Sequence, residues 1–508
     1  MLIFGGLPLF YMELALGQFQ RCGCISVWSR ICPMFKGIGF GICFIAMYVS
    51  FYYNTVIAWA LYFMFASMRA EVPWLRCGHV WNTENCTEFF NRTNATSTNY
   101  TKSPASEFFQ RSVLELQSSS GIDDVGPVKW SIALCLLAVF IIVYFSLWKG
   151  IKSSGKAVWI TATAPYIILL ILLVRGVTLP GALEGIIYYL KPQWHRLLKI
   201  QVWNDAASQI FFSLGPGFGV LLALSSYNKF HNDCYKDALI TSMINCFTSF
   251  LSGFVVFSVL GYMAYSQHKT VESVAEDGPG LVFVAYPEAI ATLNLSSFWA
   301  IIFFLMLITL GLDSTFGGLE AMITGICDEW PALGKRREIF VAGLIATCFL
   351  GGLSTTTYGG YYLFVLLDHH GVPISILFIV FIEAIALNWF YGVNRFSDDV
   401  QMMLGYRPGI FWRICWAGIC PIFCLVLFIL ACTDYNGIYY PDYTYPDWAV
   451  CIGWIITCSS LFCIPLYIVY KYIVTPGTIV ERLKKITRPE VHPKFDEKDQ
   501  LPLHPVYL

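Results

Sequence analysis

Residues 205–219 read DAASQIFFSLGPGFG, and the fold turns on how that stretch is read. It lies within an apolar block long enough to cross a bilayer, which takes about 20 residues. Inside the block stand Gly215, Pro216, Gly217 and Gly219. A helix interior bears these badly, since proline costs about 3 kcal/mol and each glycine about 1 kcal/mol. Lipid offers no hydrogen bonds, so unwound backbone at membrane depth persists only where it faces protein or a cavity. The stretch therefore predicts a helix that breaks over residues 213–219 and turns carbonyls and amides toward a site. Broken helices of this kind hold substrate and ions in secondary transporters. A proline kink without a ligand is the simpler alternative, and the polar flanks Gln209 and Ser213 argue against it.

Composition places that block in a membrane chain. Of 508 residues, 57% are hydrophobic and 13% charged, and the mean hydropathy is +0.61. A soluble domain carries about 25% charged residues, so this chain could not cover a water-soluble globule. The formal net charge of −1 gives no basic face for nucleic acid. Eleven blocks read as membrane helices: 2–20, 38–65, 129–147, 157–175, 205–227, 237–264, 298–323, 338–354, 361–392, 411–431 and 447–472. The chain reads as one all-α polytopic membrane domain over 1–474 with a tail at 475–508. The first block follows no basic leader, contains Glu13, and starts as a spanning segment and not as a signal peptide.

Basic residues set the orientation, because they gather in cytoplasmic loops. Arg21, Arg30 and Lys36 lie in one loop, Lys149, Lys152 and Lys156 in another, Lys335, Arg336 and Arg337 in a third, and Arg482, Lys484 and Lys485 in the tail. These segments share one parity, which predicts a cytoplasmic C-terminus and an extracellular loop at 66–128. That loop holds four glycosylation sequons, at Asn85, Asn91, Asn94 and Asn99. Cys77 and Cys86 lie in the same oxidising setting and read as a disulfide. The bond would leave Asn85 a poor acceptor and Asn91, Asn94 and Asn99 better ones. Most other cysteines lie inside apolar blocks and read as small core residues.

A second polar cluster follows an apolar run: GLDSTFGG at 311–318. An acid at that depth is paired or binds an ion. Asp313, Ser314 and the Leu310 carbonyl fall within one helical turn, and oxygen-only ligands suit a hard cation. An aspartate bridging to a neighbouring helix is the plainer alternative. Asn245 and Ser249 share a helix face at i, i+4, a pattern that more often links helices than binds ions. Glu13, Glu320 and Glu383 read as structural pairs or gate elements. Tyr52, Tyr53 and Asn54 could wall a pocket for a cationic aromatic ligand, though aromatic stripes usually pack or belt the interface.

Several stretches resemble the neurotransmitter:sodium symporter family: GGLPLFYMELALGQ at 5–18, residues 209–227, residues 307–316 and TPGT at 475–478. The resemblance covers almost the whole chain. YYNT at 52–55 and GLDSTF at 311–316 look like the serotonin-type branch. It implies the inverted-repeat, LeuT-type transporter fold, with twelve helices in the family against eleven here. The chain is expected to begin within the family's second helix and so to lack the first. That helix supplies a carboxylate for the amine and much of both sodium sites. The resemblance implies plasma-membrane symport of a monoamine, serotonin first, dependent on sodium and chloride ions and on no organic cofactor. The alternatives are another monoamine or an amino acid as substrate in the same family or, without the first helix, inactivity or a non-transporting regulatory role.

Residue roles carry over by position. The resemblance implies Val49, Tyr53, Phe212, Phe218, Ser314, Thr315 and Gly318 for the substrate. It implies Ser213 and Asn245 for one sodium ion, and Leu310, Asp313 and Ser314 for the other. Gln209, Ser213, Asn245 and Ser249 would hold chloride, and Asp368 would be an outer-gate acid. Ser50 stands where serotonin-type members carry a smaller residue. Expected partners are the amine, the lipid bilayer and a second copy of the chain in a homo-oligomer. A receptor, a channel and an enzyme are disfavoured by the span count, by the lack of a continuous polar stripe and by the lack of an HExxH, nucleophile-elbow or metal motif.

Overall fold

The computed structural model describes residues 1–88, 102–274, 278–433, 435, 437–438 and 443–489. The sequons at Asn91, Asn94 and Asn99 lie outside the described residues. Principal helices are α1 (Leu7–Gln20), α2 (Cys24–Ile31), α3 (Gly37–Ala66), α4 (Trp130–Leu147), α5 (Ile151–Val177), α6 (Ile200–Leu214), α7 (Val220–Ser225) and α8 (Cys234–Gln267). They continue with α9 (Ser296–Glu329), α10 (Arg337–Leu353), α11 (Gly360–Gly371), α12 (Pro373–Ile385), α13 (Val393–Leu404), α14 (Cys420–Thr433), α15 (Asp447–Leu461), α16 (Cys463–Val474) and α17 (Ile479–Thr487). Among the described residues there are isolated bridges and no longer strand.

Nine stretches among the described residues are helical, long and apolar enough to cross a membrane. The pair α15–α16 makes a tenth, bent by 45°. The eleventh predicted block, 205–227, is absent from that count for the reason its sequence gave. It is two pieces, α6 of 15 residues and α7 of 6, and neither spans alone. The predicted span 361–392 falls inside one stretch, Gly360–Leu404, that is long and apolar enough to cross, though it is not one regular helix. Pro373 divides it after Gly371, a π-helical turn covers Ala386–Gly392, and Gly392 at φ +105° hands over to α13.

Two apolar cores organise the bundle. One lies around α3, α4 and α9, the other around α1, α2 and α12. The pair α3–α9 shares the most extensive helix contact, and Trp59, Phe63 and Phe304 are buried there. Each such aromatic removes about 150–250 Å² from solvent.

The basic segments gather at one end, as their shared parity requires. Lys36 pairs with Glu329, and Gly23 N–H donates to Asp328 Oδ2 at 2.6 Å. Lys149 and the 335–337 triplet line one pocket. Cys32 Sγ reaches the Ile486 carbonyl of α17, which brings the tail helix to the same end. The large loop sits elsewhere. Cys77 and Cys86 are joined by a disulfide, and Trp74 Nε1 donates to the Pro287 carbonyl at 2.9 Å. Lys129, at the foot of α4, pairs with Glu115 at 2.6 Å. Burial pulls its ammonium below the usual range while Glu115 opposes that shift.

Candidate functional site

The predicted break is real but shorter than residues 213–219, because Ser213 and Leu214 remain helical. Gly215, Gly217 and Gly219 adopt φ of +66°, +81° and +71°, with Pro216 between them. Three left-handed residues in five leave little choice but glycine. At Gly217 a side chain is excluded twice over, since an added Cβ would fall 2.1 Å from Val380 Cγ2.

Breaking a helix strands backbone groups at both new ends, and distant elements take them up. Gly217 N–H donates to Glu13 Oε1 of α1 at 2.6 Å. Glu13 is 1% exposed, and Glu383 of α12, fully buried, lies beside it. On the other side, Asn245 Nδ2 donates to the Ser213 carbonyl at 3.0 Å. Ser213 Oγ returns a bond to Asn245 Oδ1 at 2.9 Å, and Ser249 Oγ approaches the same oxygen at 3.5 Å. Ser213, Asn245 and Ser249 thus form one connected cluster. Gln209, one turn earlier on α6, is exposed and bonds to none of them.

A cavity of about 910 Å³ lies between α3, the α6–α7 break and α9. Val49, Tyr53, Phe212, Phe218, Ser314, Thr315 and Gly318, all seven residues named for the substrate, line it. Asp368 and Asp313 line it too, as does Glu320. Leu310, Gln209, Asn245 and Ser249 are not on its wall. The aromatic rings offer faces to a cation, and the acids offer charge.

The unbroken α9 presents its groups differently. Asp313 Oδ1 accepts from Thr161 Oγ1 of α5 at 3.0 Å. Ser314 Oγ turns back to the Leu310 carbonyl at 3.4 Å. Thr315 Oγ1 donates to Asn54 Oδ1 of α3 at 3.0 Å. Tyr53 meets Ser314, and Tyr52 meets Asp368, through their hydroxyls. Ser50, buried at the wall, gives its hydroxyl to the Ala46 carbonyl at 2.8 Å. Glu320 is no free acid, because Arg337 Nη2 holds it at 2.7 Å and Tyr227 donates to it at 2.9 Å.

Asn54, read with Tyr52 and Tyr53 as a possible pocket wall, lines the cavity. One contributor escaped the sequence reading. Thr161, with Ser154, Gly155 and Val158 of the same helix beside the cavity, gave no signal, because hydroxyls are ordinary in membrane helices.

A helical bundle with a glycine-broken span beside a membrane-depth cavity defines a polytopic membrane transporter of the secondary class. A model described as the sodium:neurotransmitter symporter family matches residues 1–475. The chain is 60% identical over 494 residues to the sodium-dependent serotonin transporter of Drosophila melanogaster, covering 96% of this chain and 78% of that protein. It is 49% identical over 506 residues to the sodium-dependent dopamine transporter of Bos taurus, covering 99% of this chain and 73% of that protein. The chain belongs to the sodium:neurotransmitter symporter family. Its relatives are transporters of small molecules in membranes, not enzymes, and the family is sodium-coupled.

Proposed function

We propose that the protein carries a monoamine, serotonin first, across the plasma membrane together with sodium, and that it depends on chloride. One observation carries this reading: every residue named for the substrate lines a single cavity, with a carboxylate at Asp368. Three aromatic residues, Tyr53, Phe212 and Phe218, suit a protonated aromatic amine. Asp313, Ser314 and the Leu310 carbonyl would bind one sodium ion, and Ser213 and Asn245 would contribute to another. Chloride beside Ser213, Asn245, Ser249 and Gln209 would offset positive charge where the dielectric is low. Asp368 would act at the outer gate, the C-terminal tail would face the cytoplasm, and Asn91, Asn94 and Asn99 would carry glycans. A second copy of the chain is the expected partner.

The coupling follows from differential binding. Each tenfold sodium gradient is worth about 1.4 kcal/mol, and each inward positive charge roughly 2.3 kcal/mol per 100 mV. Sodium must therefore favour the outward, substrate-ready state. The test is uptake of labelled serotonin and dopamine by cells expressing the protein, with sodium replaced by choline or chloride by gluconate. Serotonin accumulation lost on either replacement is expected. Undiminished uptake without sodium would refute coupling, and a preference for dopamine would reassign the substrate.

A further inference from the structure

Thr161 is buried on α5, 7% exposed, and its hydroxyl has three acceptors within reach. They are Asp313 Oδ1 at 3.0 Å, the Ala157 carbonyl at 3.3 Å and the Val158 carbonyl at 3.5 Å. One hydroxyl has one proton to give. Threonine in a membrane helix ordinarily spends it on its own backbone. Here the carboxylate is both the nearest acceptor and the charged one, and charge-assisted bonds are roughly twice as strong as neutral ones. Pro165, four residues on, lies inside the same helix. It has no N–H, so the Thr161 carbonyl also loses its helical donor. This turn of α5 therefore has a carbonyl without its helical donor and a hydroxyl shared between its own backbone and Asp313, at the point where α5 packs on α9.

Asp313 has no basic partner among the described residues. Its hydrogen bond to Thr161 is what ties the half-buried carboxylate to a neighbouring helix. We propose that Thr161 is a positioning residue for Asp313. It commits one carboxylate oxygen to α5, leaves the other for a cation, and so fixes the size of the cage that selects sodium over lithium. This rests on the reading of Asp313 as a sodium ligand. Selectivity among hard cations depends on cavity size and ligand rigidity, and a carboxylate free to swing surrenders both.

The experiment is a thermal-melting titration of the purified full chain with sodium chloride and, separately, lithium chloride at constant ionic strength. Thr161→Val removes the hydroxyl at equal size. It is expected to raise the half-stabilising sodium concentration about tenfold, the loss of one bond near 1.4 kcal/mol, and to narrow the sodium-to-lithium ratio. Thr161→Ser keeps the hydroxyl and is expected to behave as the unaltered protein. An unchanged sodium response in Thr161→Val overturns the proposal. So does a Thr161→Ser response as poor as that of Thr161→Val, because the methyl group would then be what matters. If Thr161→Val does not fold, Thr161→Ala against Thr161→Ser gives the same contrast. Failure of the underlying reading looks different: the unaltered protein would show no sodium response, or Asp313→Asn would keep it.

Discussion

The pair α6–α7 stops between Leu214 and Val220, whereas α9 runs unbroken from Ser296 to Glu329 past the same cavity. The first region gives up backbone hydrogen bonds, and other helices take up the released groups: Glu13 for the Gly217 amide, Asn245 for the Ser213 carbonyl. The second keeps its backbone bonds and offers side chains, which lean on Thr161 of α5 and Asn54 of α3. The difference teaches where each region is vulnerable. The break depends on glycine stereochemistry, so changes there strike folding. The intact helix depends on side chains that can be exchanged, so changes there strike binding, and strike stability only where a side chain bridges to another helix, as Thr315 does to Asn54.

The sharpest way to break this comparison is Gly217→Ala. The left-handed conformation costs a non-glycine residue roughly 1–2 kcal/mol, and crowding Val380 adds about 1–3 kcal/mol. A loss of about 3 kcal/mol is expected, read as a lower melting temperature and a poor surface yield. Gly318→Ala is the matched control on α9. Nothing lies within 4 Å of its added Cβ, so stability should hold or rise while the cavity narrows and amine affinity falls. Equal losses of stability at the two positions would erase the distinction between the regions. Next in size is Thr315→Val. It leaves Asn54 Oδ1 without the Thr315 donor at a residue 1% exposed, at a cost of about 2 kcal/mol. A double-mutant cycle with Asn54→Ala measures the pairwise part, and coupling near zero would detach α9 from α3.

Much of this was legible in the sequence because both signals were chemical contradictions. Gly215, Pro216 and Gly217 in an apolar block contradict a helix, and Asp313 in an apolar block contradicts lipid. The break was drawn two residues too wide, because the alternation of left-handed glycines at 215, 217 and 219 marks the turn itself and leaves Ser213 helical. The partners of these groups were not legible. Glu13 lies 204 positions from Gly217, and Thr161 lies 152 from Asp313. Hydropathy and spacing carry no information over such separations. Pro373 lay in plain view, but whether proline interrupts a helix within a span or ends the span depends on what packs around it. Of the seven cavity residues, Tyr53 was read from local pattern as a pocket wall; the substrate role of the other six came from resemblance.

On α9, Asp313→Asn sharpens the comparison from the binding side. It keeps the shape and removes the charge, so the sodium concentration for half-maximal uptake should rise at least about tenfold, near 1.4 kcal/mol. The melting temperature without sodium should change little. A large drop without sodium would mean that Asp313 works as a helix-to-helix strut, the plainer of its two readings.

The smallest effect belongs to Asn245, which joins the two kinds of region. Its amide donates to the Ser213 carbonyl, a group freed by the break, and its oxygen accepts from Ser213 and Ser249. These bonds join neutral groups, and a neutral bond contributes about 1 kcal/mol net. Asn245→Ala should therefore lower the melting temperature only slightly. Chloride dependence of uptake should weaken more than stability does, because the fold draws on the whole break whereas an anion would meet these donors directly. Asn245→Ser, which retains a hydroxyl donor, should fall between the two. If Asn245→Ala costs as much stability as Gly217→Ala, the carbonyl it serves is a structural keystone of the break. If it alters neither stability nor chloride dependence, the cluster is a bystander and the anion must be sought elsewhere along α6.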